Sequence, residues 1–241
     1  MESKKFRLDR FVSSRTGVKK GDVRLLLAQK RVMVDGGFAA AINQVVDQFS
    51  HIVVDGQILQ QNSAVYWMMH KPVGVVSATK DEIHKTVIDL LEADNPEARL
   101  DDLHIVGRLD LNSSGLLLLT NDGEWSRRLT SPDKNVAKVY EVTLADPITD
   151  EYSEAFAQGM YFAFEDLTTL PAVLEKVSEY VARVTLMEGR YHQIKRMFGR
   201  FRNQVVELHR VSIGNLELDE DLLPGDSRLL TPSEAKSIIS Q

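Results

Sequence analysis

The 241-residue chain contains no cysteine. That excludes a disulfide framework, a thiolate zinc site and a cysteine nucleophile. It also lacks any stretch approaching the roughly 18 to 20 consecutive apolar residues that a membrane span requires. Its longest apolar runs, such as Leu116–Leu119, have the length of strands. The opening residues through Phe11 carry charges, but no apolar segment follows them as a secretory signal would require. No low-complexity segment is present. We therefore expect a folded, cytoplasmic protein without membrane contact, and a hydrophobic content of 43% is enough to build a core.

Positive charge is also scarce overall, since the formal net charge is −6. Taken as one number, this speaks against a nucleic-acid partner, but the charge is segregated. Residues 1–62 hold ten Lys/Arg against six Asp/Glu, a net of +4, and the remainder holds 19 against 29, a net of −10. Within that acidic remainder, 183–210 carries seven Lys/Arg against Glu188 and Glu207. Segment 141–182 carries nine carboxylates and a single Lys176. Such segregation implies one side facing a polyanion and another facing solvent.

The first sixty residues read as a small module. Leu8, Phe11 and Val12 recur at helical spacing, and Gly17 ends that helix. A second helix over about 21–30 buries Val23, Leu26 and Leu27 and exposes Lys19, Lys20, Arg24, Lys30 and Arg31. Two β-branched runs follow, Val32-Met33-Val34 and Ile52-Val53-Val54, each closing on Asp-Gly, a tight-turn signal. A basic helix face alone is often just a solvated surface. The order helix, helix, strand, turn, strand, with Arg7-Leu8-Asp9 and Arg31-Val32-x-Val34-Asp35-Gly36, resembles the S4 family of RNA-binding domains. That resemblance implies that Lys19, Lys20, Arg24 and Arg31 meet RNA. Many S4 domains carry Ser-Arg where Lys19-Lys20 stand here, which keeps the charge but not the forked geometry.

Segment 57–64 is polar and weakly patterned and reads as a linker, giving domains 1–62 and 63–241. Beyond it, strands are expected at 66–69, 73–78, 105–109, 116–120, 139–144 and 181–187. Helices are expected at 86–91, 124–129, 150–158 and 191–202. In the last of these, Ile194, Met197, Phe198 and Phe201 form one apolar stripe, with Lys195, Arg196, Arg200 and Arg202 elsewhere on the circumference. Strands outnumber helices and connections vary in length, so the fold class is α+β: a small N-terminal module and a larger domain around a largely antiparallel sheet.

The sharpest segment is Gly107-Arg108-Leu109-Asp110-x-x-Ser113-Ser114-Gly115-Leu116-Leu117-Leu118-Leu119. It reads as a strand, a loop of small polar residues and a very apolar second strand. Asp110 falls at the mouth of the loop, where flanking strands hold a carboxylate still. Ser113, Ser114 and Gly115 let another backbone approach closely. By itself, an Asp-x-x-Ser loop is more often a turn cap.

The string resembles the signature of the RsuA/RluB/RluE/RluF family of ribosomal pseudouridine synthases. Further segments resemble that family's motifs in order. His70-Lys71-Pro72-Val73-Gly74 has His70 where asparagine is usual. Lys138-Val139-Tyr140 and Glu188-Gly189-Arg190-Tyr191-His192-Gln193-Ile194-Lys195-Arg196-Met197 follow. Leu208-His209-Arg210-Val211 and Leu223-Pro224-Gly225-x-x-Arg228 close the series. Together with the S4-like module, the likeness spans nearly the whole chain.

It implies conversion of uridine to pseudouridine in ribosomal RNA by a monomer needing neither metal nor cofactor. Asp110 would be catalytic, Tyr140 would line the site, and Lys195 would pair with Asp110 where arginine is commoner. A carboxylate suits this chemistry as nucleophile or base, and a neighbouring cation keeps it ionised. Attack at the ribose and attack at the base both remain open. Tyr140 offers a ring on which an extruded uracil can stack, although a strand tyrosine is more often packing. Lys71, Arg108, Arg190 and Arg196 are expected to contact RNA phosphate, or in the case of Lys71 and Arg108 to brace the loop. His192 and His209 have no carboxylate or thiol at ligand spacing, so no metal site is expected. The wording of the 190–198 segment resembles small-subunit members more than large-subunit ones, which favours 16S rRNA in an assembling particle.

Two other classes compete. A uridine-C5 methyltransferase needs a catalytic cysteine and a glycine-rich cofactor loop, and both are missing. A non-catalytic S4-type assembly factor would bind rRNA with Asp110, Tyr140 and Lys195 idle. A synthase acting on 23S rRNA is the nearest variant of the favoured reading.

Overall fold

The computed structural model describes residues 5–98, 100 and 102–238 and divides into two units. The first comprises 5–64 with 122–124. Strand β1 (Phe6–Arg7) leads into α1 (Leu8–Thr16), whose Leu8, Phe11 and Val12 are buried. Gly17 closes α1 in the left-handed region, φ 76°, donating its N–H to the Ser13 carbonyl. Helix α2 (Lys20–Ala28) buries Val23 and Leu26. Then come β2 (Val32–Val34), β3 (Gly37–Phe38), β4 (Val45–Val46), β5 (Ile52–Val54) and β6 (Gln57–Gln60). The sheet order is β3-β2-β5-β6, and β4 pairs with β1.

Both Asp-Gly pairs turn as their residue types demand, with positive φ at Asp35, Gly36, Asp55 and Gly56. The second turn corrects the expected linker at 57–64. It folds 57–60 back onto β5 as a strand, and the units divide at Ala64/Val65. A four-residue, half-exposed edge strand bracketed by glutamines carries too little apolar alternation to be read from sequence.

The second unit is built on β7 (Tyr66–Lys71), α3 (Val87–Asp94), β8 (His104–Val106), β9 (Ser114–Thr120) and α4 (Gly123–Thr130, in this unit from Trp125). Next are β10 (Lys138–Leu144), α5 (Glu151–Gln158), the hairpin β11 (Tyr161–Phe162) and β12 (Leu167–Thr168), β13 (Val173–Lys176) and β14 (Val181–Leu186). Then come α6 (Gln193–Gly199), β15 (Val205–Ile213), β16 (Leu216–Glu217), β17 (Ser227–Leu229) and α7 (Pro232–Ser237). Among the described residues, a nine-stranded sheet runs β13-β14-β10-β15-β9-β7-β17, with β16 on β15 and β8 on β9. Every pairing in it is antiparallel except β9 with β15. The mixed α+β architecture with a largely antiparallel sheet is as the sequence implies.

The uninterrupted leucines of β9 have a simple cause. Leu117 and Leu119 enter one core with Met69, Tyr140, Val142 and Phe198, while Leu116 and Leu118 enter another with Met68, Trp125 and Ile213. A strand buried on both faces shows no alternation.

Two expected elements differ, and one strand is unexpected. Residues 73–78 form no strand, only an isolated bridge from Val76 to Thr86. Pro72 removes a ladder donor after Lys71, and Gly74 turns the chain at φ 83°. The helix expected over 191–202 is confined to Gln193–Gly199, because His192 takes the left-handed conformation at its start. The nine-residue β15 was not expected from sequence, because buried Arg210 interrupts its apolar pattern.

Candidate active site

The loop between β8 and β9 carries Asp110, and it is pinned from several sides. Lys71, the last residue of β7, is fully buried and its Nζ donates to the carbonyls of Pro72 (2.9 Å), Asp110 (3.1 Å) and Ser113 (2.7 Å). Ser77 Oγ donates to the Leu109 carbonyl and accepts from the Leu109 N–H. The Gly74 N–H reaches the Leu111 carbonyl at 2.9 Å. At Gly115, φ 107°, an added Cβ would lie 2.3 Å from the Arg210 carbonyl oxygen, so only glycine permits this contact between β9 and β15. The loop is therefore held by backbone contacts on both flanks, leaving the Asp110 carboxylate to face outward.

Asp110 meets two groups from the other side. Lys195 Nζ lies 2.9 Å from Oδ2, and His192 Nε2 lies 3.3 Å from Oδ1. The approach to α6 that presents them is organised by Glu188, only 1% exposed. Its carboxylate accepts from Arg190 Nε (2.7 Å), Gln193 Nε2 (3.0 Å) and the Leu170 N–H (2.8 Å). Tyr191 stacks on His192 at 3.9 Å and 18°, and is itself three-quarters exposed.

Asp110, Tyr140, Lys195 and His192 line one cavity of about 380 Å³. Tyr140 comes from β10, where it is in register with Arg210 of β15, whose guanidinium lies 6.0 Å from the ring centroid. Lys138 shares that face of β10. It and Arg210 are buried at the cavity wall. Burial, and next the charge of Arg210, push the Lys138 ammonium down to about 8. Burial likewise brings Lys71 to about 8, against the pull of Asp110 in the opposite direction.

The remaining residues assigned to RNA from sequence fall in different places. Lys71 is a correction: with no exposed surface it cannot reach RNA, and it braces the Asp110 loop. Arg108 is exposed at the cavity. Arg190 is engaged by Glu188, and Arg196 is held bidentately by Glu165 (2.6 and 2.7 Å) while lying 3.6 Å over the Phe162 ring. In the first unit, Lys19, Lys20 and Arg24 are exposed, whereas Arg31 is clamped by Asp55 at 2.5 and 2.7 Å. Two site residues escaped the sequence reading. His192 was weighed only as a metal ligand, and Arg210 only as part of a closing motif. Their side-chain targets lie 82 and more residues away, beyond local pattern.

His70, standing where asparagine is usual, donates from Nδ1 to the Leu222 carbonyl at 2.8 Å and packs edge-on against His209 at 5.4 Å. Among the described residues no three His, Cys, Asp or Glu side chains gather in a way that could hold a metal ion, and no helix is long and apolar enough to cross a membrane.

A carboxylate held by an ammonium, beside a buried tyrosine in a cavity of nucleotide-compatible size, defines a class when set beside known proteins. Residues 65–199 match the RNA pseudouridylate synthase family, and the chain belongs to that family of enzymes. Ribosomal small subunit pseudouridine synthase A of Pseudomonas aeruginosa is 49% identical over 96% of this chain and 100% of its own. The protein of that name from Escherichia coli K12 is 43% identical over 97% of this chain and 100% of its own. A crystal structure of a pseudouridylate synthase matches with a TM-score of 0.68 at 36% identity, covering 97% of this chain and 99% of that one.

Proposed function

We propose that the chain isomerises one uridine of small-subunit ribosomal RNA, 16S rRNA in a partly assembled particle, to pseudouridine. It would act as a cytoplasmic monomer with no cofactor. The Asp110–Lys195 pair at the cavity carries this reading, supported by near full-length likeness to the small-subunit enzymes. The reaction breaks the bond from C1′ to N1, turns the uracil, and joins C5 to C1′. The C5 proton is lost and N1 gains one, so no atom is gained overall. Asp110 supplies the carboxylate that attacks, and Lys195 and His192 hold it toward the cavity. Tyr140 presents its ring to a uracil extruded from the RNA stack, a contact worth about 1–3 kcal/mol.

The N-terminal unit is assigned to RNA positioning as an S4-like module. Its exposed Lys19, Lys20 and Arg24 support this, and it holds no group of the Asp110 site. Arg108 at the cavity is placed against phosphate.

Asp110→Asn is nearly isosteric but neither nucleophilic nor basic. It is expected to abolish pseudouridine formation in 16S rRNA while RNA affinity stays within a few-fold. Turnover by the variant in a purified assay would remove Asp110 from the chemistry. Modification of 23S but not 16S rRNA by the wild type would reassign the substrate.

A further inference from the structure

Two cations at the cavity wall have no role in the scheme above. Arg210 is 2% exposed, and its Nε and Nη2 are spent on the carbonyls of Leu116 and Gly107, both at 2.8 Å. Its Nη1 has no hydrogen-bond partner among the described residues. Lys138 is 8% exposed, and among the described residues its Nζ makes a single hydrogen bond, to the Val136 carbonyl at 2.8 Å. Neither has a carboxylate within ion-pair distance among the described residues, and the cavity's own carboxylate, Asp110, is paired with Lys195. A buried cation without a counter-charge is costly, and two side by side are more so. Carbonyls aim Arg210 without neutralising it. Such an arrangement is favourable when an anion arrives.

The position of the pair says which anion. Lys138 and Tyr140 alternate onto one face of β10, and Arg210 is the cross-strand neighbour of Tyr140. A uracil brought against Tyr140 in this cavity enters space that Lys138 and Arg210 also line. The reaction places negative charge on that edge by either route. If Asp110 Oδ bonds to C1′, the C1′–N1 bond breaks and its electron pair passes to the uracil, spread over N1, O2 and O4. If Oδ bonds to C6, the electrons of the C5–C6 double bond pass to O4 as an enolate.

We propose that Lys138 and Arg210 are further catalytic residues, forming a preorganised hole that takes up the negative charge developing on the uracil carbonyl oxygens. The proposal rests on the Asp110 reading. Donors aimed at developing charge in a dry site need no reorganisation when it appears, and losing one such donor typically slows the reaction about 10²–10³-fold.

The test compares single-turnover rates at saturating RNA for a target uridine and for 5-fluorouridine at the same position, followed as loss of the starting nucleotide. Fluorine withdraws electrons and stabilises the charged base from within. Lys138→Met is expected to lose about 100-fold on uridine. On 5-fluorouridine the loss is expected to be at least fivefold smaller, with RNA affinity within about twofold. Lys138→Arg, which keeps the charge, is expected to recover most of the rate, and Lys138→Gln to fall between.

Equal losses on both substrates would mean that Lys138 only positions the site and would overturn the proposal. A loss confined to RNA affinity would overturn it in favour of a phosphate contact. Should the Met variant not fold, the Arg and Gln variants carry the same comparison, and an uncharged Gln variant as fast as wild type would overturn it too. Asp110→Asn is expected to be dead on both substrates, so failure here leaves the Asp110 reading standing, and a live Asp110 variant fails that reading separately.

Discussion

The two basic regions of the chain carry similar local charge and deploy it in opposite ways. On α2 and its approach, Lys19, Lys20 and Arg24 are exposed and have no ion-pair partner among the described residues. Around α6, nearly every cation is committed. Arg190 goes to Glu188, Lys195 to Asp110, Arg196 to Glu165, and Arg200 donates to the Tyr161 carbonyl. The same density of positive charge is a free surface in one place and a framework in the other. Free cations release counterions when they meet a polyanion, whereas paired ones must first give up a carboxylate. Local net charge therefore locates a basic segment without saying whether it is available.

Breaking the first side of this comparison should have the largest effect. Reversing Lys19, Lys20 and Arg24 to glutamate is expected to weaken RNA binding about tenfold or more. The dependence of log affinity on log salt should become shallower by about two to three units, since each lost phosphate contact removes nearly one unit. Single-turnover rate at saturating RNA should not change. Binding titrations at several salt concentrations give the slope, and an unaltered slope would mean that α2 does not meet RNA.

An intermediate effect is expected at the buried extreme, Lys71. Its folded value lies at about 8, below its ordinary 10.5, because burial disfavours the ammonium. Between those values the unfolded chain binds more protons than the folded one, so stability from this group rises with pH across that window. Below pH 8 both states are charged and the contribution is flat. Denaturant unfolding at pH 7.5 and 9.5 should show a smaller gain for Lys71→Met than for wild type, by on the order of 1 kcal/mol. Lys138, brought to a similar value, supplies a gain that remains in the variant.

The smallest effect belongs to a committed cation. Arg196→Gln should leave RNA affinity within twofold and cost at most about 1 kcal/mol of stability, as expected for a partly exposed pair. A tenfold loss of affinity would show that Glu165 yields Arg196 to RNA, and the comparison between the two basic regions would lose its second half.

Local chemistry made much of the molecule legible from sequence. Gly17 and the two Asp-Gly turns sit where only residues tolerant of positive φ are comfortable, so their positions are visible in the residue types themselves. The leucine run of β9 announces a buried strand, and the loop before it announces a carboxylate held between strands. Tyr140 and Lys195 were readable only through order and resemblance, since a strand tyrosine and a helix lysine are individually unremarkable.

What the sequence by itself determined is thus the set of elements bounded by local conformational preference, and the candidate carboxylate at Asp110. Tertiary structure alone decided which cations are free. Whether Arg31 meets Asp55, Arg196 meets Glu165, or Lys71 disappears under the Asp110 loop depends on residues 24, 31 and 42 positions away. It likewise decided that β15 threads between β9 and β10, bringing Arg210 beside Tyr140. The physical reason is range. Backbone preference acts over a few residues, while the electrostatic partner of a side chain is whatever the sheet order sets beside it.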